Sequence, residues 1–164
     1  MRIGIIVHSK TGITLGFGEC IASKLRESGY TVDMVQLKTD VPVNAGSVRS
    51  APKFTIVNMP DCKQFDALLV GGPVWALSAS PVIFACIKAL RDISGKKVLP
   101  FVTMGFPFAS MGGKQAIAVM SSALAKAGAT ALPGIIIPHL FRDHNRLMEE
   151  AVSTIPSHFE QDKQ

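Results

Sequence analysis

The sequence predicts a doubly wound α/β fold, in which helices cover both faces of a mostly parallel β-sheet. Two observations predict it. Short apolar runs without strict alternation recur along the 164 residues, as in strands that are buried on both faces of a parallel sheet. Segments whose apolar residues recur at helical spacing lie between these runs. The regular alternation favours right-handed strand–helix–strand crossovers within a single domain spanning residues 1–164.

The predicted strands differ in how deeply they should be buried. Four short runs are almost entirely apolar, namely residues 3–7, 66–71, 98–102 and 134–138. Residues 30–37 alternate apolar and polar side chains, which suits a less buried strand at the edge of the sheet. Pro100 lies inside one of the runs, so its missing N–H should point away from the hydrogen-bond ladder.

Four amphipathic segments predict the helices. They cover residues 14–28, 80–92, 113–127 and 143–156. Gly29 and Gly128 end the first and third of these segments, and Asp143 is a good N-cap for the fourth.

The connection over residues 38–65 departs from the alternation. It contains Pro42, Pro52 and Pro60 and shows no helical period. The sequence predicts that this segment is irregular or contains a short surface strand over residues 53–57. Because long connections without a helix are unusual in a compact domain, this excursion is expected to replace a crossover helix and to form a lid or a homodimer contact.

The net charge of +5 suggests an anionic partner. The lysines and arginines are scattered, however, and the chain has one Trp and one Tyr with which to stack on bases. A nucleic-acid surface combines a basic stripe with stacking aromatic residues. The charge pattern therefore argues against a nucleic-acid partner.

Membrane insertion and export are also not predicted. Residues 67–87 are uncharged over the length of a bilayer helix, but Gly71-Gly72-Pro73 and Pro81 break that helix. The N-terminal apolar run is too short for a signal peptide. The three cysteines are widely spaced and form no metal-binding motif, so reduced thiols, no metal and a cytoplasmic location are expected.

A polar turn between the first strand and the first helix carries the main functional signal. It contains Ser9, Lys10, Thr11, Gly12, Ile13 and Thr14. Free N–H groups at a helix N-terminus bind anions, and hydroxyl side chains can surround a phosphate without a charged residue. An ordinary capped strand–helix turn is the alternative.

Three better-known patterns do not fit the sequence. The turn lacks the Gly-Lys-Ser/Thr of a Walker loop. Gly16 and Gly18 fall inside the predicted helix, and Ile21 stands where the Rossmann fingerprint needs its third glycine. Gly71-Gly72 follows the third strand, where a response regulator needs its acceptor Asp.

Three segments together resemble the flavodoxin-like FMN-binding family. The Ser9–Thr14 turn is similar to its phosphate loop. Residues 66–76 resemble its third strand and the following flavin loop, and residues 102–113 resemble its fourth strand and second flavin loop. The resemblance implies a three-layer α/β/α sandwich with a five-stranded parallel sheet of order 2-1-3-4-5. It also implies an FMN cofactor at the switch point between strands one and three.

The resemblance assigns roles by position. Ser9, Thr11, Gly12, Ile13 and Thr14 should hold the FMN phosphate, and Lys10 either adds charge or points to solvent. The remaining cofactor-binding positions should contact the ring or the ribityl chain, with Trp75 stacked on one face; they are Pro73, Val74, Trp75, Ala76, Met104, Gly105, Phe106 and Gly112. Phe106 or Phe108 should cover the second face, although Gly112 could instead serve helix entry. The Gly71-Gly72 turn should offer a mobile peptide beside the ring.

The function that follows is electron transfer through a non-covalent flavin. The alternatives are an FMN-dependent NAD(P)H:quinone-type oxidoreductase and, least favoured, a flavin-free binding module. No catalytic residue is assigned, and His8 is expected to be structural. The partner should be a redox protein or NAD(P)H. Acidic residues are absent from residues 71–81 and 104–113, which departs from the acidic carriers of the family.

Overall fold

A computed structural model describes residues 1–46 and 52–160. Its main sheet has the strand order β2-β1-β3-β5, followed by a fifth position that β6 and β7 share. All pairings along this path are parallel, as a sheet of order 2-1-3-4-5 requires. The strands are β1 (Arg2–Val7), β2 (Thr31–Gln36), β3 (Ala67–Trp75), β4 (Ser78–Ala79), β5 (Lys97–Met104), β6 (Thr130–Ala131) and β7 (Ile135–Pro138). The predicted fold class is confirmed.

The helices cover both faces of the sheet. They are α1 (Ile13–Glu27), α2 (Pro81–Ala89), α3 (Gly113–Lys126) and α4 (His144–Thr154). The buried faces of α1 and α4 share one apolar cluster with residues of β1, β3 and β5. The buried faces of α2 and α3 share the other cluster, which also includes Phe65 and Val43. These two clusters make the three-layer sandwich. Among the described helices, none is long and apolar enough to cross a bilayer.

Helix α2 is shorter than residues 80–92 because its end is capped early. Leu90 leaves helical geometry with ψ near 138°. The Arg91 guanidinium donates to the carbonyls of Lys88, Ala89 and Leu90, which are among those left unpaired at the helix end. Asp143 caps α4 as predicted, since its carboxylate accepts the N–H of Arg146.

Pro100 is tolerated in the interior strand β5 because the neighbouring fifth strand is interrupted. β6 pairs with β5 as far as Val98, and β7 pairs with it from Phe101 onward. The Val98 carbonyl accepts the N–H of Leu132 at 2.8 Å. The two-residue period of a strand places Pro100 on the same side. Its missing N–H therefore faces the interruption, as expected from the sequence.

In its described residues, the excursion is irregular apart from one antiparallel bridge between Thr39 and Ile56. The prediction of an irregular or short-strand excursion is therefore confirmed. A short 3₁₀ helix covers Cys62–Gln64, and no α-helix occurs in the described residues of this segment. The excursion is anchored by the burial of Val43 and Phe65. Backbone hydrogen bonds also join its two ends, from the Asp40 N–H to the Thr55 carbonyl and from the Val57 N–H to the Lys38 carbonyl.

Candidate functional site

The three segments singled out in the sequence meet at one cavity of about 290 Å³. It lies at the carboxyl edge of the sheet, where β1 and β3 are adjacent and their following helices leave toward opposite faces. This is the switch point at which open α/β sheets bind ligands. Its lining residues come from the ends of β1, β3, β5 and β7, namely Lys10, Thr11, Ile13, Thr14, Pro73, Val74, Trp75, Thr103, Met104, Gly105 and His139.

The turn before α1 supplies backbone donors. Gly12 is the N-cap with φ 91°, a left-handed conformation that glycine adopts without strain, and no side chain caps this helix. The first intrahelical bond runs from the N–H of Gly16 to the Gly12 carbonyl. The N–H groups of Ile13, Thr14 and Leu15, in the first turn of α1, therefore have no intrahelical acceptor and can bind a ligand at a helix end that favours negative charge.

Two buried hydroxyls form the base of this end of the cavity. Thr14 Oγ1 and Thr103 Oγ1 lie 2.7 Å apart, and both residues are buried. One hydroxyl donates to the other, so the pair uses one of its two hydrogens internally. The second hydrogen remains for an acceptor atom in the cavity. A phosphate or carbonyl oxygen fits this donor set.

Trp75 forms another part of the cavity wall, and the ring of His8 packs against it. The two rings meet edge to face, with centroids 5.2 Å apart and planes at 83°. His8 Nδ1 lies 2.8 Å from Ser80 Oγ. Ser80 also caps α2 by accepting the N–H of Ile83. The position of the tryptophan is thus tied to the start of α2.

His8 is a buried side chain. Either its Nδ1 or the Ser80 hydroxyl can be the donor of their hydrogen bond, depending on the imidazole tautomer. Burial, together with the charge of Lys10, lowers the pKa of His8 from 6.5 to about 4. The imidazole is then uncharged at neutral pH, and its structural role stays a prediction.

The expected Gly71-Gly72 turn is wrong. Both glycines lie inside β3, where Gly71 pairs with Val7 and with Phe101. A Cβ on Gly71 would lie 2.1 Å from the buried Phe101 ring, so close packing, not mobility, requires this glycine. The chain reverses later, between the paired residues Trp75 and Ser78.

That reversal is a tight hairpin with an unusual composition. Ala76 and Leu77 both have positive φ, at 46° and 64°. Two-residue hairpins of this kind normally use Asn-Gly or Asp-Gly, because side chains disfavour the left-handed region. The strained turn places Trp75 at its N-terminal side, directly beside the cavity. Strained backbone of this kind clusters at ligand clamps and active sites.

Several predicted positions lie near the cavity without lining it. They are Ser9, Gly12, Ala76, Phe106 and Gly112. Ser9 Oγ accepts the N–H of Gly12 and so shapes the turn. Gly112 is the N-cap of α3 with φ 104°, and a Cβ there would lie 2.5 Å from the Leu77 backbone. These contacts favour the helix-entry alternative for Gly112.

The sequence did not point to two of the lining residues. Thr103 is the lone hydroxyl in the apolar strand β5, and that isolation is the signal that could have found it. His139 directly follows β7, and its N–H donates to the Met104 carbonyl at 2.9 Å. Thr103 lies in the segment that resembles the second flavin loop, but the resemblance assigned it no role, and His139 belongs to no recognisable motif. Within the described ranges, no three His, Cys, Asp or Glu side chains cluster as metal ligands.

A larger groove of about 670 Å³ lies between α2 and α3. Its lining includes Phe84, Leu90, Ile93 and Val119 and none of the predicted site residues. It opens toward the segment that leads into β5, away from the carboxyl ends of the strands. The smaller cavity remains the candidate site because the functional segments converge there.

No protein-family model matches the sequence, and no curated protein matches it. Solved structures do match. A flavodoxin from the domain Archaea is 16% identical with a TM-score of 0.67, and each chain is covered over 100% of its length. Oxidised flavodoxin 1 from Bacillus cereus gives the same values. Oxidised flavodoxin 2 from Bacillus cereus is 17% identical with a TM-score of 0.66, over 98% of this chain and 99% of that one. The chain therefore has the flavodoxin-like fold.

Proposed function

We propose that this protein binds FMN non-covalently and transfers electrons through it. The observation that carries the proposal is the single cavity that joins the hydroxyl-rich turn after β1 to Trp75 and Met104 at the switch point. The flavodoxins of similar fold are consistent with this ligand. A bound flavin supplies the redox chemistry, while the protein supplies binding, orientation and electrostatics.

The phosphate would bind at the turn before α1. The uncapped N–H groups there, the Thr11 side chain and the Thr14–Thr103 hydroxyl pair provide donors for its oxygens. Lys10 is exposed and lines the same cavity, so it adds positive charge. Hydrogen bonds to a charged group contribute about 1.5–3 kcal/mol each. Several such bonds are enough to fix the anionic end of the ligand.

The ring would bind between Trp75 and the turn after β5. Trp75, Pro73 and Val74 offer an apolar wall, and Met104 and Gly105 lie across from it. The cavity volume of about 290 Å³ is at the low end of ligand pockets, which begin near ~300 Å³. Part of the cofactor must therefore extend beyond the cavity toward solvent. Such an exposed edge suits electron exchange with a partner.

Purification tests the proposal directly. The protein should be yellow or take up added FMN, and denaturation should release FMN. Thr11→Val should raise the dissociation constant roughly 10- to 100-fold, because one hydrogen bond to the phosphate is lost. Thr130→Val, an exposed threonine in β6, is the matched control and should bind like the wild type. Protein that stays colourless in excess FMN would support a flavin-free module instead.

The alternative function is that of an NAD(P)H:quinone-type oxidoreductase. The rate of NADPH oxidation distinguishes this enzyme from an electron carrier. FMN-loaded protein should oxidise NADPH no faster than free FMN does, with or without a soluble quinone. Rapid NADPH oxidation that depends on the protein would replace the carrier assignment with the enzyme.

A further inference from the structure

An apolar surface borders the proposed flavin cavity. We call it the apolar rim, and its members are Leu77, Phe106, Phe108, Met111, Leu140 and Phe141. Of the eight large apolar residues that the described part of the chain exposes, these are six. Phe141 is 87% exposed, and its φ of 55° is strained for an aromatic residue. Clustered exposed apolar side chains mark an interaction site more strongly than single ones do.

The rim is one surface because its three segments contact each other. The N–H of Leu140 donates to the Gly105 carbonyl at 3.0 Å. Arg142 Nε donates to the Pro107 carbonyl at 3.1 Å, and its guanidinium lies 5.6 Å from the centre of the Phe108 ring. Gly112 packs against the Leu77 backbone. These contacts hold the aromatic side chains beside the cavity mouth.

The charge around the rim is positive. Lys114 and Arg142 are exposed there, and neither forms an ion pair among the described residues. Asp143, which follows Arg142 in the sequence, is the N-cap of α4 and accepts the N–H of Arg146. All four α-helices begin at this edge, and none has an acidic residue in its first turn. Asp143 offsets the dipole of α4 and the proposed phosphate would offset that of α1, so the N-termini of α2 and α3 add positive potential at this edge.

We propose that the apolar rim docks a partner protein whose contacting face has an apolar centre surrounded by carboxylates. The inference rests on the proposed function, because an electron carrier needs its partner placed over the exposed cofactor edge. Phe, Met and Arg are the residue types enriched at protein interfaces. Charge complementarity selects an acidic partner and speeds its approach.

Two other occupants fit the observations less well. An anionic membrane is recognised through clusters of about 4–8 cations, more than the two at this rim. A symmetric second copy would bring each positive rim against another, and like charges across an interface are unfavourable. An acidic protein satisfies both the apolar centre and the positive border.

The test uses two soluble probe proteins of opposite charge. A plant-type ferredoxin serves as the acidic probe and cytochrome c as the basic one. Each is titrated into the ¹⁵N-labelled protein at low and high ionic strength, with and without FMN. We expect ferredoxin to change the amide resonances of Met111, Leu140 and Phe141. The effect should fade at high salt, where charges are screened.

Three variants test whether ferredoxin binds at the apolar rim. Arg142→Glu should weaken ferredoxin binding about tenfold at low salt, because an attraction becomes a repulsion. Phe141→Ser should weaken it several-fold, since an exposed aromatic contact is lost. Lys126→Glu, a matched charge reversal at the end of α3 beside the larger groove, should leave binding within about twofold.

Each contrary outcome overturns the proposal. These are the absence of resonance changes with ferredoxin, changes confined to the α2–α3 groove, or tighter binding of cytochrome c. Adsorption to phosphatidylserine vesicles that Phe141→Ser abolishes would assign the rim to membranes. A dimer in sedimentation that the same variant dissociates would assign it to self-association. If FMN fails to bind but ferredoxin still contacts the rim, the proposed function fails while the docking surface stands.

Discussion

Acidification should destabilise this protein through His8, which is only 6% exposed beside the candidate cavity. Its pKa is about 4 in the folded protein and 6.5 in the ordinary reference state. As the pH falls below 6.5, the unfolded chain binds a proton that the folded chain excludes until the pH approaches 4. The stabilisation is therefore fully present above pH 6.5, falls progressively between pH 6.5 and pH 4, and is lost below about pH 4.

The magnitude follows from the separation of the two pKa values. One pKa unit corresponds to about 1.4 kcal/mol, so His8 accounts for about 3 kcal/mol in total. The same linkage gives about 2 kcal/mol of loss between pH 7 and pH 5. That change is large compared with the 5–15 kcal/mol typical of domains.

Urea unfolding of the wild type and of His8→Asn measures this effect. The asparagine side chain keeps an acceptor for the Ser80 hydroxyl but does not titrate. The free energy of unfolding of the wild type should fall by about 2 kcal/mol more than that of the variant between pH 7 and pH 5. An NMR titration of the His8 ring checks that the same group is responsible. Parallel pH profiles for the two proteins would refute the reasoning.

Substitutions at packed and open positions give further predictions. Gly71→Ala should lower the free energy of unfolding by at least about 2 kcal/mol, because its Cβ meets the buried Phe101 ring. Gly16→Ala, at an open helical position of α1, should instead raise it by about 0.5–1 kcal/mol. Urea unfolding checks both, and equal effects would contradict the packing assigned to β3. Thr103→Val should cost about 1–3 kcal/mol and weaken FMN binding, because Thr14 Oγ1 loses its partner. Unchanged stability and affinity would remove the hydroxyl pair from the site.

The sequence predicted the layers of this fold well, because burial on both faces imposes a simple pattern. The apolar runs ending near Val7 and Val102 became strands whose side chains alternate between the two core clusters. The polar residue Asp143 became the cap of α4 for a local reason that short-range sequence can carry. Patterns that depend on a few neighbouring residues were therefore predictable.

Features that depend on distant contacts were not predictable. His8 and Ser80 are 72 positions apart, and only the fold brings them to 2.8 Å. Gly71 suggested a turn because glycine favours turns, but its actual partner is an aromatic ring on the next strand. The hairpin at Ala76-Leu77 carries no turn signature, since neither residue favours positive φ. Tertiary packing overrode local preference at each of these positions.

Fluorescence titration tests the cofactor site most directly, because Trp75 is the only tryptophan in the chain. We predict that FMN quenches its emission with one-to-one stoichiometry. Riboflavin, which lacks the phosphate, should bind at least about 100-fold more weakly, since several charge-assisted hydrogen bonds at the α1 turn are lost. Equal affinity for FMN and riboflavin would contradict the phosphate site, and unchanged Trp75 emission would contradict the placement of the ring against this wall.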